Sequence, residues 1–525
     1  MLNPSYPYPS KRHLVYGRNG MVATGNITAA DAGLDILKAG GNAVDAAIAA
    51  ALMLTVTEPT ANGLGGDLFA IVYFDGRYYG LSSHGPSPAA MSLPALRGLG
   101  MSELPRFGVL PINVPGQIAG IAALARRFAR LPLKNLAIPA MRAAADGYAL
   151  QPAVADHINR ARDIYEPQLK AFPELETWFQ VFGQKSPYRP GDRMVLSGHA
   201  RALEAIAETD GEAFYRGPIA DAIATFCQTN HGWLDLPDLA AFEPEWVTPI
   251  SAEYKGHTIY EIPPSGQGIA VLMALRTLAA KGYTCHYAIE ALKQALHHAG
   301  LHVADTEHMR QTVAVLLNDY PVRAAHAVNE RAVAPETTDL LGNDTVYLAA
   351  ADGDGNMVSL IQSNYMGFGS GVVIPEYGIA LNNRACNFSL DETSANVLAP
   401  GKRPYHTIIP GFIEKKGEFR GPFGVMGGFM QPQGHLQVLL SQIEDKLNPQ
   451  SALDRPRWQW IGGNRLLVEP EFDAGLLADL RRRGHEIEIS EDEASFGRGQ
   501  IIYRYEDGRL EGACEPRTDS LVAAF

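Results

Sequence analysis

The chain has 525 residues, 46% of them hydrophobic and 19% charged, which is the balance of a compact folded enzyme and excludes a disordered or fibrous chain. A formal charge of −13, with no clustered excess of Lys and Arg, excludes phosphate-backbone binding as a main activity and points to a small-molecule partner rather than a nucleic acid. The four cysteines, Cys227, Cys285, Cys386 and Cys514, lie far apart with no CxxC spacing. They suggest neither a zinc site nor a disulfide framework, and reduced thiols are expected.

Met1 to Leu14 is rich in Pro, Tyr and polar groups and lacks the apolar stretch of a secretory signal, so a cytoplasmic location is expected. From Asn26 to Leu54 apolar residues and alanines recur at helical spacing, and Gly40-Gly41 breaks the run, which predicts a helical hairpin. The longest apolar run, Ala46 to Val56, is far short of the roughly 20 residues of a membrane helix and reads as a buried helix, with no membrane partner. A glycine cluster, Asn62-Gly-Leu-Gly-Gly-Asp67, then leads into a strand at Leu68–Phe74.

Pro115 to Leu301 is mostly helical in pattern, interrupted by a loop at Ile262-Pro-Pro-Ser-Gly-Gln-Gly268. After about Val322 the chain becomes rich in Ala, Glu and Thr and ends in Leu341-Gly-Asn-Asp344, which reads as an exposed linker. The character changes at Thr345. Val346–Ala351 reads as a strand, Asp352-Gly-Asp-Gly-Asn356 as a tight turn and Met357–Asn364 as a second strand, so Thr345 opens a hairpin.

A hydroxyl nucleophile needs a base, and a compact solution is the free α-amine of the same residue once that residue is N-terminal. Thr345 fits if its hydroxyl first attacks the carbonyl of Asp344, making an ester that water cleaves. The liberated amine, with an unperturbed pKa of about 7.7–8.0, can then take up the nucleophile's proton at neutral pH. Ser363, on the partner strand, is placed to hydrogen-bond Thr345. Gly427-Gly428 follow an apolar run and either present two N–H groups to an oxyanion or form a plain strand-end turn. Gly367-Phe-Gly-Ser-Gly371 lacks the Lys-Ser/Thr ending of a phosphate loop. His298, His302, Asp305 and His308 have helical spacing that a metal site could use, but no HExxH pattern, and read as one helix face.

Taken in order, these residues resemble the γ-glutamyltransferase family of N-terminal-nucleophile hydrolases. The resemblance rests on Met21-Val-Ala-Thr24, Gly40-Gly-Asn-Ala-Val-Asp-Ala-Ala47, Glu58-Pro59, Gly63-Leu-Gly-Gly-Asp67, Val114-Pro-Gly116, Pro139-Ala140, Phe368-Gly-Ser-Gly371, Leu381-Asn-Asn383, Lys402-Arg-Pro404 and Gly427-Gly428 around Thr345. It implies an α+β fold, a four-layer αββα sandwich of two stacked antiparallel sheets between helical layers. It also implies self-cleavage into residues 1–344 and 345–525, which stay together as an intertwined heterodimer. Ser363 assists Thr345, the Gly427 and Gly428 amides form the oxyanion hole, and no metal or organic cofactor is called for.

Departures from the family pattern concern the substrate. The segment Ser82–Pro88 has no arginine, and His84 stands at or near the place of the arginine that holds a glutamyl α-carboxylate. Asn387 replaces the acidic residue that binds the α-amine, His406-Thr407 replace paired serines, and Arg384 replaces an uncharged side chain. An arginine binds a carboxylate in two-pronged fashion, and loss of the anion at 387 removes a reason to prefer an ammonium. With Tyr365 added, these residues form the candidate substrate-binding set. The expectation is a small carboxylate-bearing amide, oxamate first. Glutathione or another γ-glutamyl amide is the alternative, and a non-catalytic binding protein on the same fold the remote one.

Overall fold

The computed structural model describes residues 12–335 and 345–525. Its frame is a pair of seven-stranded antiparallel sheets. The first runs Leu521–Ala524, Gly20–Thr24, Val346–Asp352, Met357–Ser363, Asp67–Phe74, Arg77–Ser83, Glu245–Val247. The second runs Val15–Gly17, Leu510–Cys514, Arg498–Tyr505, Phe419–Met426, Gly411–Lys415, His257–Glu261, Ile250–Tyr254. Strands from both sides of Thr345 are interleaved in each sheet, so neither part of the chain can complete a core alone.

The two-residue period of a strand sorts its side chains into layers. Along Val346–Asp352, the side chains of Val346, Leu348 and Ala350 join the core under one helical layer. Those of Tyr347, Ala349 and Ala351 join a separate core between the sheets. Phe423 and Val425 of the second sheet face the other helical layer, while Met426 faces inward. The result is the expected α+β, four-layer αββα sandwich.

The predicted helical hairpin is present as Ile27–Lys38 and Ala43–Thr57. Asn42 starts the second helix through a capping box with Asp45, a cap of a kind worth about 1 kcal/mol. Every residue of Ala43–Thr57 is buried, and the helix covers the Thr345 hairpin, which explains why it is apolar all round.

Two readings of the sequence are corrected. The stretch from Pro115 to Leu301 is not helical throughout: Glu245–Val247, Ile250–Tyr254 and His257–Glu261 are strands. They are short strands, Glu245–Val247 and Ile250–Tyr254 on the sheet edges and His257–Glu261 next to one, with a tight turn at Lys255-Gly256 where both φ angles are positive. The stretch after Val322 is not all linker, since a helix continues through Ala327. The expected linker Leu341–Asp344, and with it the cleavage residue Asp344, lies outside the described residues. No described helix is long and apolar enough to cross a membrane, and all four cysteines are free thiols.

Candidate active site

Thr345 immediately precedes the strand Val346–Asp352, and strand alternation turns its side chain toward the space between the sheets. Met357 and Ile361 of the partner strand face the same way, as does Ser363 by the same period. Thr345 Oγ1 donates to Ser363 Oγ at 3.1 Å, and both residues are buried. Ser363 Oγ also accepts the backbone N–H of Tyr365 at 2.8 Å, which fixes its orientation.

Asp67 pairs with Ser363 across the sheet and faces the same interior. The glycines before it let this loop lie flat on the strand Met357–Ser363, because a Cβ on Gly66 would come 2.6 Å from the Ser363 carbonyl oxygen. Asp67 organises the polar floor. Its Oδ2 accepts from Arg384 Nε at 3.2 Å and from His406 Nε2 at 3.1 Å. Arg384 Nη1 donates to Thr407 Oγ1 at 3.0 Å, and the guanidinium lies over the Tyr365 ring at 4.5 Å. Arg384 Nη2 and Asp67 Oδ1 are buried without a hydrogen-bond partner. A two-pronged carboxylate grip through Nε is therefore closed here, since Nε is held by Asp67, while Nη1 is engaged by Thr407 and Nη2 is left as the unpartnered nitrogen.

Burial raises the Asp67 carboxyl above its usual range, with Arg384 the largest influence opposing the rise. Burial first, and then the Arg384 charge, hold the His406 imidazole well below 6.5. The geometry agrees with a neutral ring, because Nδ1 accepts from the Ile408 N–H while Nε2 donates to Asp67. His84 is also pushed well below 6.5, by burial and then by His406. Its ring lies edge-on to His406 at 4.9 Å, with Nε2 2.8 Å from Ser265 Oγ. Asn387 stands apart from this floor, donating to the Tyr405 carbonyl at 3.1 Å.

Gly427 and Gly428 end the strand Phe419–Met426 and precede the helix Met430–Ile443. Their φ angles are 132° and 56°, a turn that glycine adopts without strain. The Gly427 carbonyl accepts from Met430 N and that of Gly428 from Gln431 N, while neither glycine amide donates to another of the described residues. Two unengaged N–H groups at the positive end of a helix form a suitable cradle for a developing oxyanion. A cleft of about 620 Å³ reaches this region from solvent, lined by Tyr365, Asn387, Tyr405, Phe429, Trp460 and the exposed Arg106.

The reading of His298, His302, Asp305 and His308 as one helix face is corrected in part: His298 and His302 lie on the helix Cys285–His302, which ends there, while Asp305 and His308 lie beyond it, His308 in the short turn Thr306–His308. His298 stacks against Tyr320 and His302, and Asp305 accepts the Arg403 backbone N–H, so they do not converge. Among the described residues the one cluster with metal-ligand spacing is His286, Glu290 and His485, which draws on the start of the same helix and on none of those four positions. There the buried Lys293 ammonium sits 2.8 Å from Glu290 Oε1 and neutralises it. Asp67 and Gln267 were absent from the candidate set. Asp67 was detectable in principle, since an arginine at 384 that is buried calls for a carboxylate.

Comparison with known proteins shows the family. The gamma-glutamyltranspeptidase family model matches residues 29–525. The glutathione hydrolase-like YwrD proenzyme of Bacillus subtilis is 32% identical over 97% of this chain and 99% of its own. The oxamate amidohydrolase proenzyme of Klebsiella pneumoniae is 32% identical over 97% and 98%. The crystal structure of cephalosporin acylase from Bacillus halodurans superposes with a TM-score of 0.96 at 49% identity, covering 100% of this chain and 99% of that one. The match along nearly the whole chain, on an N-terminal-nucleophile hydrolase sandwich, makes this protein an amide-hydrolysing enzyme of the gamma-glutamyltranspeptidase family.

Proposed function

We propose that this enzyme matures by scission of the bond before Thr345 and then uses Thr345 as both nucleophile and base against a small carboxylate-bearing amide. In maturation the Thr345 hydroxyl attacks the carbonyl of residue 344, the acyl group shifts from nitrogen to oxygen, and water cleaves the ester. This leaves residues 1–344 and a fragment, 345–525, with a free N-terminal threonine. In turnover Thr345 Oγ attacks the substrate carbonyl while its proton passes to the α-amine. The Gly427 and Gly428 amides receive the oxyanion. The amine product departs with the proton, and water hydrolyses the threonyl ester to the free acid. No metal or organic cofactor enters this scheme, and the expected compartment is the cytoplasm.

The observation that carries the reading is the 3.1 Å contact of Thr345 Oγ1 with Ser363 Oγ at the mouth of a buried hairpin. The word proenzyme in the relatives' names supports it. For the acyl group, the compact floor of Arg384, Asp67, His406 and Thr407 suits a short acid, with Arg384 Nη2 as the donor to a carboxylate, and oxamate is the smallest such amide. A second reading, hydrolysis or transfer of γ-glutamyl amides, gains from Asp67. Its Oδ1 has no hydrogen-bond partner, and it gives this floor a carboxylate where Asn387 offers none.

The test is a denaturing gel of the purified protein and of Thr345→Ala, with N-terminal sequencing of the smaller band. Expected are bands of roughly 37 and 20 kDa, shared from a 56.8 kDa chain, the smaller beginning Thr-Val-Tyr-Leu, and one uncut band for the variant. A full-length band that persists in both would refute the scheme. Release of ammonia from oxamate, against glutamate from γ-glutamyl-4-nitroanilide, separates the two acyl readings.

A further inference from the structure

The Gly427-Gly428 turn is held from two sides by side chains that take no part in the scheme above. On one side Gly427 is backed by Gly497, whose Cα lies 3.2 Å from the point a Gly427 Cβ would occupy. Gly497 is itself fixed, since its carbonyl and that of Phe496 accept from Arg457 Nη1 at 2.8 and 2.9 Å. Arg457 is buried against Glu515, at 2.9 Å, so this side of the turn is anchored in a charge-compensated network.

On the other side stands Gln267, fully buried in the loop between the strand His257–Glu261 and the helix Ile269–Lys281. Its Nε2 donates to the Gly428 carbonyl at 2.9 Å and to the Thr407 carbonyl at 2.5 Å. Its Oε1 accepts from Tyr405 Oη at 3.2 Å, and its backbone N–H donates to the His406 carbonyl at 3.0 Å. The amide orientation follows from the partners, because two carbonyl oxygens demand the NH₂ end and a hydroxyl can donate to the oxygen. One side chain thus joins the turn bearing the two unengaged amides to the segment Tyr405–Thr407, whose Thr407 hydroxyl holds Arg384.

We propose that Gln267 is a positioning residue that locks the Gly427-Gly428 turn to the Arg384-bearing wall, so that oxyanion donors and substrate wall keep one fixed separation. The proposal rests on the reading of those two amides as the oxyanion hole. The Gly428 carbonyl belongs to the peptide plane that follows its N–H, so a bond to that carbonyl limits rotation of the turn about the donors. Removing it leaves every substrate-contacting group in place and loosens only their alignment. Loss of alignment lowers transition-state stabilisation while leaving ground-state binding nearly intact.

The experiment is steady-state kinetics of mature Gln267→Met, which keeps the length of the side chain and removes both donors, on whichever of oxamate and γ-glutamyl-4-nitroanilide the unmodified enzyme turns over faster. Expected is a fall in kcat of about 10- to 100-fold with KM within about threefold, smaller than the roughly 100- to 1000-fold loss from deleting an oxyanion donor outright. Gln267→Asn, too short to span both carbonyls, is expected to lose kcat in the same way and carries the test if the methionine variant does not fold. Unchanged kcat in either folded variant, or a rise in KM that accounts for the whole loss, would overturn the proposal. Replacing residue 428 by glycolic acid through semisynthesis, which turns its amide N–H into an ester oxygen and keeps the Gly428 carbonyl, separates the two layers of the argument. If that abolishes turnover while Gln267→Met does not, only the positioning role falls, whereas normal turnover without the residue 428 N–H removes the oxyanion reading and this proposal together.

Discussion

Replacing Arg384 by methionine removes a charge from a place where no solvent can compensate for it. The guanidinium is fully buried, 3.2 Å from Asp67 Oδ2 and 3.0 Å from Thr407 Oγ1. In the variant Asp67 retains the His406 Nε2–H contact at 3.1 Å and loses its counter-charge. Breaking a buried pair by deleting one partner costs about 3–5 kcal/mol. Burial already raises the Asp67 carboxyl above its ordinary 3.8, and Arg384 is the main influence holding it down, so its pKa climbs further in the variant. A group whose pKa is raised on folding contributes stability that is fully present below its unfolded value and is lost as pH rises through the folded one. The destabilisation is therefore expected to be largest at neutral and alkaline pH and partly relieved in acid. The double variant Asp67→Asn/Arg384→Met, with neither charge, should melt above Arg384→Met alone.

The same substitution tests binding. A charge-assisted hydrogen bond from Nη2 to a substrate carboxylate is worth about 1.5–3 kcal/mol. Its loss would raise KM roughly 10- to 150-fold with a much smaller change in kcat. The assays are melting curves at pH 5 and pH 8 and kinetics on a carboxylate-bearing amide. An Arg384→Met enzyme with an unchanged melting temperature at pH 8 and an unchanged KM would refute both parts of the reasoning.

Two other outcomes are expected. Ser363→Ala deletes a neutral hydroxyl–hydroxyl bond of 3.1 Å, of a kind worth about 0.5–1.5 kcal/mol, so the single-turnover acylation rate should fall roughly 2- to 12-fold, and a loss beyond a thousandfold would mean that Ser363 does more than orient Thr345. Because His84 and His406 are held neutral well below 6.5, kcat/KM should show one ascending limb, set by the Thr345 amine near its unperturbed pKa of about 7.7–8.0, and a second limb close to 6.5 would contradict the neutral assignment.

Much of this enzyme was readable from local pattern. The helical hairpin, the strand after the glycine cluster and the hairpin opened by Thr345 each carry their own periodicity and turn residues, which is information held within ten or twenty neighbours. The 18-residue interval from Thr345 to Ser363 is likewise a local fact, since a tight turn between two strands brings their far ends together. The strands between Glu245 and Glu261 escaped because each is only three to five residues long, too short for a two-residue period to stand out against the helices around them.

What only the tertiary structure decided is who neutralises whom. Asp67 and Arg384 are 317 positions apart, and nothing in either neighbourhood says that one is the other's counter-ion. Gln267 likewise reaches Thr407 and Gly428 across 140 and 161 positions. A residue's intrinsic chemistry is a property of the chain, so the sequence alone could offer a candidate nucleophile and a pair of glycines. Its remaining hydrogen-bonding capacity depends on which partners the packed layers bring to it. That is why Arg384, which as a free side chain could grip a carboxylate with two prongs, is left in the folded enzyme with Nη2 as its one unpartnered donor nitrogen.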